Sequence, residues 1–223
     1  MGLPPALERD FESALSIPVT GGLLGLLLGP LQAYAEALYR WGGAMSLVAR
    51  GDRDFLATRH FIPALRVAPL VAALPRRDVV DVGSGAGLPG IPLALSLPDS
   101  RFWLVESRRR RASFLRHVVR VVGLANVTVV LSRFECWRPS SAADCLVTRA
   151  VRLTPELLHA AARVLAPHGS LLALGADPVR LGAAQVLLWS SGQRPRGAAV
   201  TALMRAPGGT TAGTSTSGSG GPG

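Results

Sequence analysis

Val79-Val80-Asp81-Val82-Gly83-Ser84-Gly85-Ala86-Gly87-Leu88-Pro89-Gly90 decides the fold. An apolar strand with one embedded carboxylate runs into a turn carrying three glycines at alternate positions, and a helical stretch, Leu88–Leu97, follows. Glycines at a strand-to-helix turn let the backbone approach a ligand and take conformations that a side chain forbids. The strand–turn–helix context is what gives such a run meaning. Downstream, Phe102–Val105, Val127–Leu131, Cys145–Thr148 and Leu171–Leu174 read as further strands. Helical stretches over Arg109–Val122 and Thr154–Leu165 separate them. That alternation predicts an α/β domain, with a parallel sheet and helices on both faces. Weaker strand signals at Val186–Trp189 and Ala198–Met204 close it.

Upstream, no strand pattern precedes Val79, and the first 76 residues read as a helical extension. Helices are expected over Pro4–Leu15, from Leu31 to a stop at Trp41-Gly42-Gly43, and from Asp52 to Leu74, the last broken or kinked at Pro63 and Pro69. The stretch from Ser13 to Ala35 carries no charge, but Gly29-Pro30 interrupts its apolar core and acids dominate the flank before it. A buried helix, not a signal peptide or a membrane span, is expected there. The α/β domain is assigned to residues 77–205. Residues 206–223 contain only Gly, Ser, Thr, Pro and Ala, so a disordered tail is expected.

The net charge of +10 is uneven: all 24 basic residues are Arg, and 16 of them lie after residue 100 against 5 acids. Such an excess suits a phosphate-bearing partner, although a GC-rich genome also produces Arg-rich chains. Arg108-Arg109-Arg110-Arg111 opens the helix after the second strand, and Arg109, Arg116 and Arg120 share one face of it, opposite Leu115, Val118, Val119 and Val122. Arg109, Arg110, Arg116 and Arg120 are therefore candidates for binding RNA phosphate, with a solvated helix face as the alternative. Cys136 and Cys145 lack disulfide or metal spacing and read as buried small residues in a reduced, cytoplasmic protein. No metal site is expected.

At the glycine turn, a dinucleotide would place pyrophosphate beside Asp81 and be repelled. S-adenosylmethionine (SAM) carries no phosphate and a positive methionine end, so the spacing D-x-G-x-G-x-G over Asp81, Gly83, Gly85 and Gly87 favours the methyl donor. Glu106, ending the second strand, is placed to accept the ribose hydroxyls.

From about residue 31 to 175 the chain resembles the RsmG (GidB) family of bacterial 16S rRNA guanine-N7 methyltransferases. The resemblance rests on DVGSGAGLPGIPLAL from Asp81 to Leu95, LVES at Leu104–Ser107, RRASFLRHV from Arg110 to Val118, and GLANVTV at Gly123–Val129. SRFE at Ser132–Glu135, TRA at Thr148–Ala150 and HGSLLAL at His168–Leu174 complete it. It implies a class I, Rossmann-like methyltransferase fold, SAM as cofactor, and the small ribosomal subunit as partner; a monomer is the expectation here, although nothing in the sequence fixes the oligomeric state. It further implies that Gly83 and Leu88 line the methionine and ribose portion, that Phe134 and Glu135 contact adenine, and that Arg149 reaches the cofactor or target pocket. His60 matches an Arg-His pair of the family's extension and reads as a structural bridge between helices. Departures from the family pattern at Ser46–Val48, Pro63–Ala64, Val151–Thr154 and Gly175 gather around the target pocket. A methyltransferase with another substrate, or a non-catalytic RNA-binding relative, are the competing readings.

Overall fold

The computed structural model describes residues 22–74, 77–174 and 187–189. The expected helix Pro4–Leu15, the strand Ala198–Met204 and the tail lie outside them. The chain enters as helix α1 (Gly22–Met45), passes through a 3-10 turn (Arg50–Phe55) and a π-helical turn (Ala57–Phe61), and makes two short helices, α2 (Ile62–Leu65) and α3 (Ala68–Ala72). Then follow β1 (Asp78–Val82), α4 (Gly90–Ser96), β2 (Arg101–Glu106), α5 (Arg109–Val121) and β3 (Val127–Leu131). After a 3-10 turn at Phe134–Cys136 come β4 (Ala143–Arg149), α6 (Pro155–Val164), β5 (Leu165–Leu174) and β6 (Leu187–Trp189).

The strands form one sheet in the order β3-β2-β1-β4-β5-β6, every described pairing parallel. The order reverses between β1 and β4, which opens a crevice at the carboxyl ends of those strands, where ligands of doubly wound sheets bind. Alternation along each strand divides the core. Val80, Val82, Val105, Leu146 and Leu171 point to one face and pack under α6. Val79, Phe102, Cys145, Val147 and Leu172 point to the other, against α3 and α4. The same pleat sends Asp81 and Glu106 toward the α4/α5 face.

Helix α1 is longer than the glycines and proline in it suggest. It runs through Pro30 and on through Gly42-Gly43 to Met45. Leu26, four residues before Pro30, is solvent-exposed, so water can take the carbonyl that Pro30 cannot bond. Beyond Tyr34 the packing outweighs the roughly 1 kcal/mol that a helical glycine costs. Leu31, Tyr34, Ala35 and Leu38 are buried in a single cluster with Leu104, Phe114, Leu115 and Val118, and Trp41 packs on Phe114 and His117 at ring separations of 6.0 and 5.3 Å. The extension thus shares its core with the α/β sheet. The expected long helix from Asp52 to Leu74 is instead four short pieces, with Pro63 and Pro69 each in the first turn of its own helix, where a missing N–H does no harm.

Other boundaries move by a residue or two, except β5, which starts at Leu165 directly after α6 and meets β4 through a register irregularity between Ala143 and Cys145. Thr154 caps α6, its hydroxyl accepting from Leu157 N–H at 3.3 Å. Cys145 is buried, as expected; Cys136 is exposed, because the 3-10 turn points it outward while Phe134 takes the interior. No helix among the described residues is long and apolar enough to cross a membrane.

Gly90 shows how tightly α4 sits on the sheet: its N–H donates to Asp81 Oδ2 at 3.1 Å, and a Cβ there would lie 2.5 Å from both Asp81 Oδ2 and Leu104 Cδ2. Gly90→Ala should therefore cost about 2 kcal/mol by overpacking, a fall of roughly 4–8 °C in Tm for a chain of this size. Thermal denaturation followed by circular dichroism measures it; an unchanged Tm would mean α4 can shift freely.

Candidate functional site

The glycine turn is built by backbone hydrogen bonds to β2. Gly83 and Ser84 N–H both donate to Val105 O, at 2.9 and 3.1 Å, and Gly87 N–H closes on Ser84 O at 2.6 Å. Gly83, Gly85 and Gly87 all take positive φ (67°, 55° and 93°), which only glycine adopts without strain. Their open sides differ. A Cβ on Gly83 would meet Val151 Cγ2, from the loop after β4, at 2.8 Å, so two loops of the crevice close on each other there. A Cβ on Gly87 would meet Ile91 Cδ1 at 2.5 Å, so the third glycine serves helix–strand packing. Leu88 is likewise buried in the cluster beneath α1.

Two carboxylates brace this turn. Glu106, almost wholly buried, accepts from Gly85 N–H through Oε2 at 2.9 Å and from Arg108 N–H through Oε1 at 2.7 Å. Asp81 is fully buried, and its Oδ1 has no hydrogen-bond partner. Burial pushes the Asp81 carboxyl up to about 7, only partly countered by the amide of Gly90. A buried carboxylate oxygen with nothing to bond marks a place where a cationic or donor group would be welcome.

The sequence profile of the family described as "GidB: rRNA small subunit methyltransferase G" matches residues 28–180. The chain belongs to this family. It is 36% identical over 172 residues to Ribosomal RNA small subunit methyltransferase G of Stenotrophomonas maltophilia (strain K279a), covering 77% of this chain and 78% of that one. Its likeness to the counterpart from Xanthomonas axonopodis pv. citri (strain 306) is 36% over 190 residues, covering 84% and 88%. Among solved structures it resembles a SAM dependent methyltransferase from Aquifex aeolicus, at 21% identity and a TM-score of 0.43, over 48% of this chain and 61% of that one.

The remaining candidate positions, those implied by the family resemblance and those read from charge, fall in three places. Phe134 is buried under α6 with Val82 and Val105, and Glu135 is half-buried at the mouth of the loop after β3. That loop is pinned by Arg138 and Arg163, which donate to the Glu135 carbonyl at 2.9 and 3.1 Å. Arg149 leaves β4 on the α1 side, and its Nη2 donates to the Arg59 carbonyl at 3.0 Å. Arg109, Arg110, Arg116 and Arg120 lie exposed along α5.

Sequence reasoning missed a polar cluster that roofs the crevice. Asp52 is paired with Arg59, which holds its carboxyl below the usual range, and Arg59 also lies over the Phe55 ring at 4.3 Å. His60 Nε2 is 3.3 Å from Asp52 Oδ2 but out of hydrogen-bond alignment, and neither ring nitrogen is bonded. The spacing of Asp52 and His60 on separate turns gave no periodic signal; only the Arg-His pair did. In sequence, Arg111 is one of four consecutive arginines and is not among the candidates. Its Nη1 lies 3.7 Å from where a Gly85 Cβ would stand, so one guanidinium of the four borders the turn.

His60 is 7% exposed, and burial, followed by the charge of Arg149, lowers its imidazole to about 4 against the partial opposition of Asp52. The ring is therefore neutral at pH 7. Because the unfolded chain binds that proton near 6.5, the contribution of His60 to stability is complete above that pH and is lost as pH falls toward 4. Nuclear magnetic resonance titration of the ring should give a midpoint near 4; a midpoint above 6 would contradict this burial.

Proposed function

We propose that the chain uses SAM to methylate N7 of a guanine in 16S rRNA of the small ribosomal subunit. The observation that carries this reading is the Asp81 Oδ1 left without a partner in a glycine turn of a chain from the rRNA methyltransferase G family. The residues suit the donor. Asp81 offers a carboxylate to its positive methionine end, Glu106 a carboxylate to its ribose hydroxyls, and Gly83 and Gly85 a backbone that carries no side chain of its own, with Val151 and Arg111 beside them. Leu88, Phe134, Glu135 and Arg149 complete the set that the family resemblance implies. When bound, SAM supplies a sulfonium methyl that a neutral ring nitrogen can take without first losing a proton.

Guanine N7 has a free lone pair, so the protein's task is alignment and water exclusion rather than proton removal. Arg149, anchored on the Arg59 carbonyl, and the neutral His60 stand over the same crevice as the glycine turn. This chemistry requires no metal and a single copy of the chain, and it belongs in the cytoplasm, with the small subunit. The rRNA backbone is taken up by α5. Arg108, Arg109, Arg110, Arg116 and Arg120 are exposed, and among the described residues none of their guanidiniums is ion-paired. Arg116 and Arg120 also border an open groove of about 370 Å³ floored by Val119, Leu124, Val127 and Val129. Mass-spectrometric mapping of small-subunit rRNA from a strain lacking the gene tests the assignment: one guanine should lose its N7 methyl, and an unchanged methylation pattern would refute it.

Gly83→Val should abolish SAM binding measured by calorimetry. The strained φ costs about 1–3 kcal/mol of stability and the crowding of Val151 about 1–3 kcal/mol more, so circular dichroism should first show the variant folded; retained affinity would then remove this turn from the cofactor site. Changing Arg109, Arg110, Arg116 and Arg120 to Gln should weaken RNA binding alike for every sequence and leave SAM affinity unaltered. For every arginine that neutralises a phosphate, its replacement should reduce the salt slope by about 0.7–0.9. An unchanged slope would return these residues to the role of a solvated helix face.

A further inference from the structure

Tyr34 lies in α1, 52 residues before the turn it touches, and its hydroxyl donates to the Ala86 carbonyl at 2.7 Å in a fully buried setting. Its ring stacks on Phe61, with centroids 5.2 Å apart and planes at 23°. Phe61 directly follows Arg59 and His60 in the π-helical turn, and the Arg59 carbonyl is the one that holds Arg149. One side chain therefore spans from the middle of the glycine turn to the segment that anchors the arginine above the crevice.

The hydroxyl is not needed for packing. Phenylalanine would fill nearly the same volume among Leu31, Leu38 and Phe114, and a buried hydroxyl is unfavourable unless bonded. The bond it makes is to a carbonyl flanked by two positive-φ glycines, in the stretch of chain with the widest choice of backbone conformations. Burial raises the phenol well above its usual value, so it remains a donor throughout the working pH range.

We infer that Tyr34 is a positioning residue that holds the Gly83–Gly87 turn in its cofactor-binding conformation and ties that conformation to the Arg59–His60–Arg149 side of the crevice, so that SAM and rRNA bind with positive coupling. This rests on the reading of the turn as the cofactor site. Because coupling between two ligands is reciprocal, each tightens the other by the same factor.

The test measures SAM affinity with and without small ribosomal subunits, for the wild type, Tyr34→Phe and Leu38→Ala. Leu38 belongs to the same buried cluster, so its truncation lowers stability at least as much without removing the hydrogen bond to the turn. Tyr34→Phe should weaken SAM binding about tenfold, a loss of about 1.4 kcal/mol, and abolish the tightening by subunits, while kcat at saturating SAM stays within about twofold. Leu38→Ala should keep both the affinity and the coupling. Equal SAM affinity in Tyr34→Phe and wild type, or equal losses in the two variants, would overturn the proposal and leave Tyr34 an ordinary core residue. A wild type that binds no SAM would overturn the reading of the turn as well.

Discussion

The structure turns on the hydrogen bond from Gly90 N–H to Asp81 Oδ2 and the absence of space around it. It brings the start of α4 down onto β1 so closely that no side chain fits between them. With α4 fixed there, the intervening residues must cross in a tight turn with its amides facing β2, and Glu106 receives one of them. Asp81 is buried with one amide on Oδ2, and its second oxygen is left without a donor. The close approach that secures the helix thus goes together with a buried carboxylate oxygen that no donor reaches.

The same economy governs the helical extension. Without α1, the Phe114 ring of α5 would lose Trp41 and the cluster would lose Leu31, Tyr34, Ala35 and Leu38, and burying large apolar side chains is worth roughly 1.5–3 kcal/mol each. The extension is thus part of the same hydrophobic unit as the sheet. Its polar residues, Asp52, Arg59 and His60, come to rest over the crevice because the apolar ones, Tyr34 and Phe61, are fixed beneath it.

The strands and the glycine turn were legible because they depend on local pattern. Runs of Val and Leu with Gly at alternate positions admit few alternatives, and β1 to β4 fall within one or two residues of their expected places. Helix α1 was not legible to its full length. Pro30 and Gly42-Gly43 are breakers by propensity, and only packing against Phe114 and His117, some 70 residues away, overrules them. Nor could the roof of the crevice be read, since Asp52, His60 and Arg149 meet only after the chain has folded. Arg111 illustrates the same limit within a single run: four consecutive arginines look equivalent in sequence, yet a helix turns one of them toward Gly85 while its neighbours face solvent.

The two cysteines, alike in sequence, differ as chemical objects. Cys145 lies in the middle of a central strand, where burial and the neighbouring Asp144 raise its thiol far beyond the range in which a thiolate forms. It behaves as a small hydrocarbon-like residue, closed to oxidants and alkylating reagents while the sheet holds. Cys136 stands in the open beside Glu135. A maleimide-linked dye or spin label added to the folded chain would therefore attach at a single address, at the mouth of the loop after β3, with no need to engineer a cysteine.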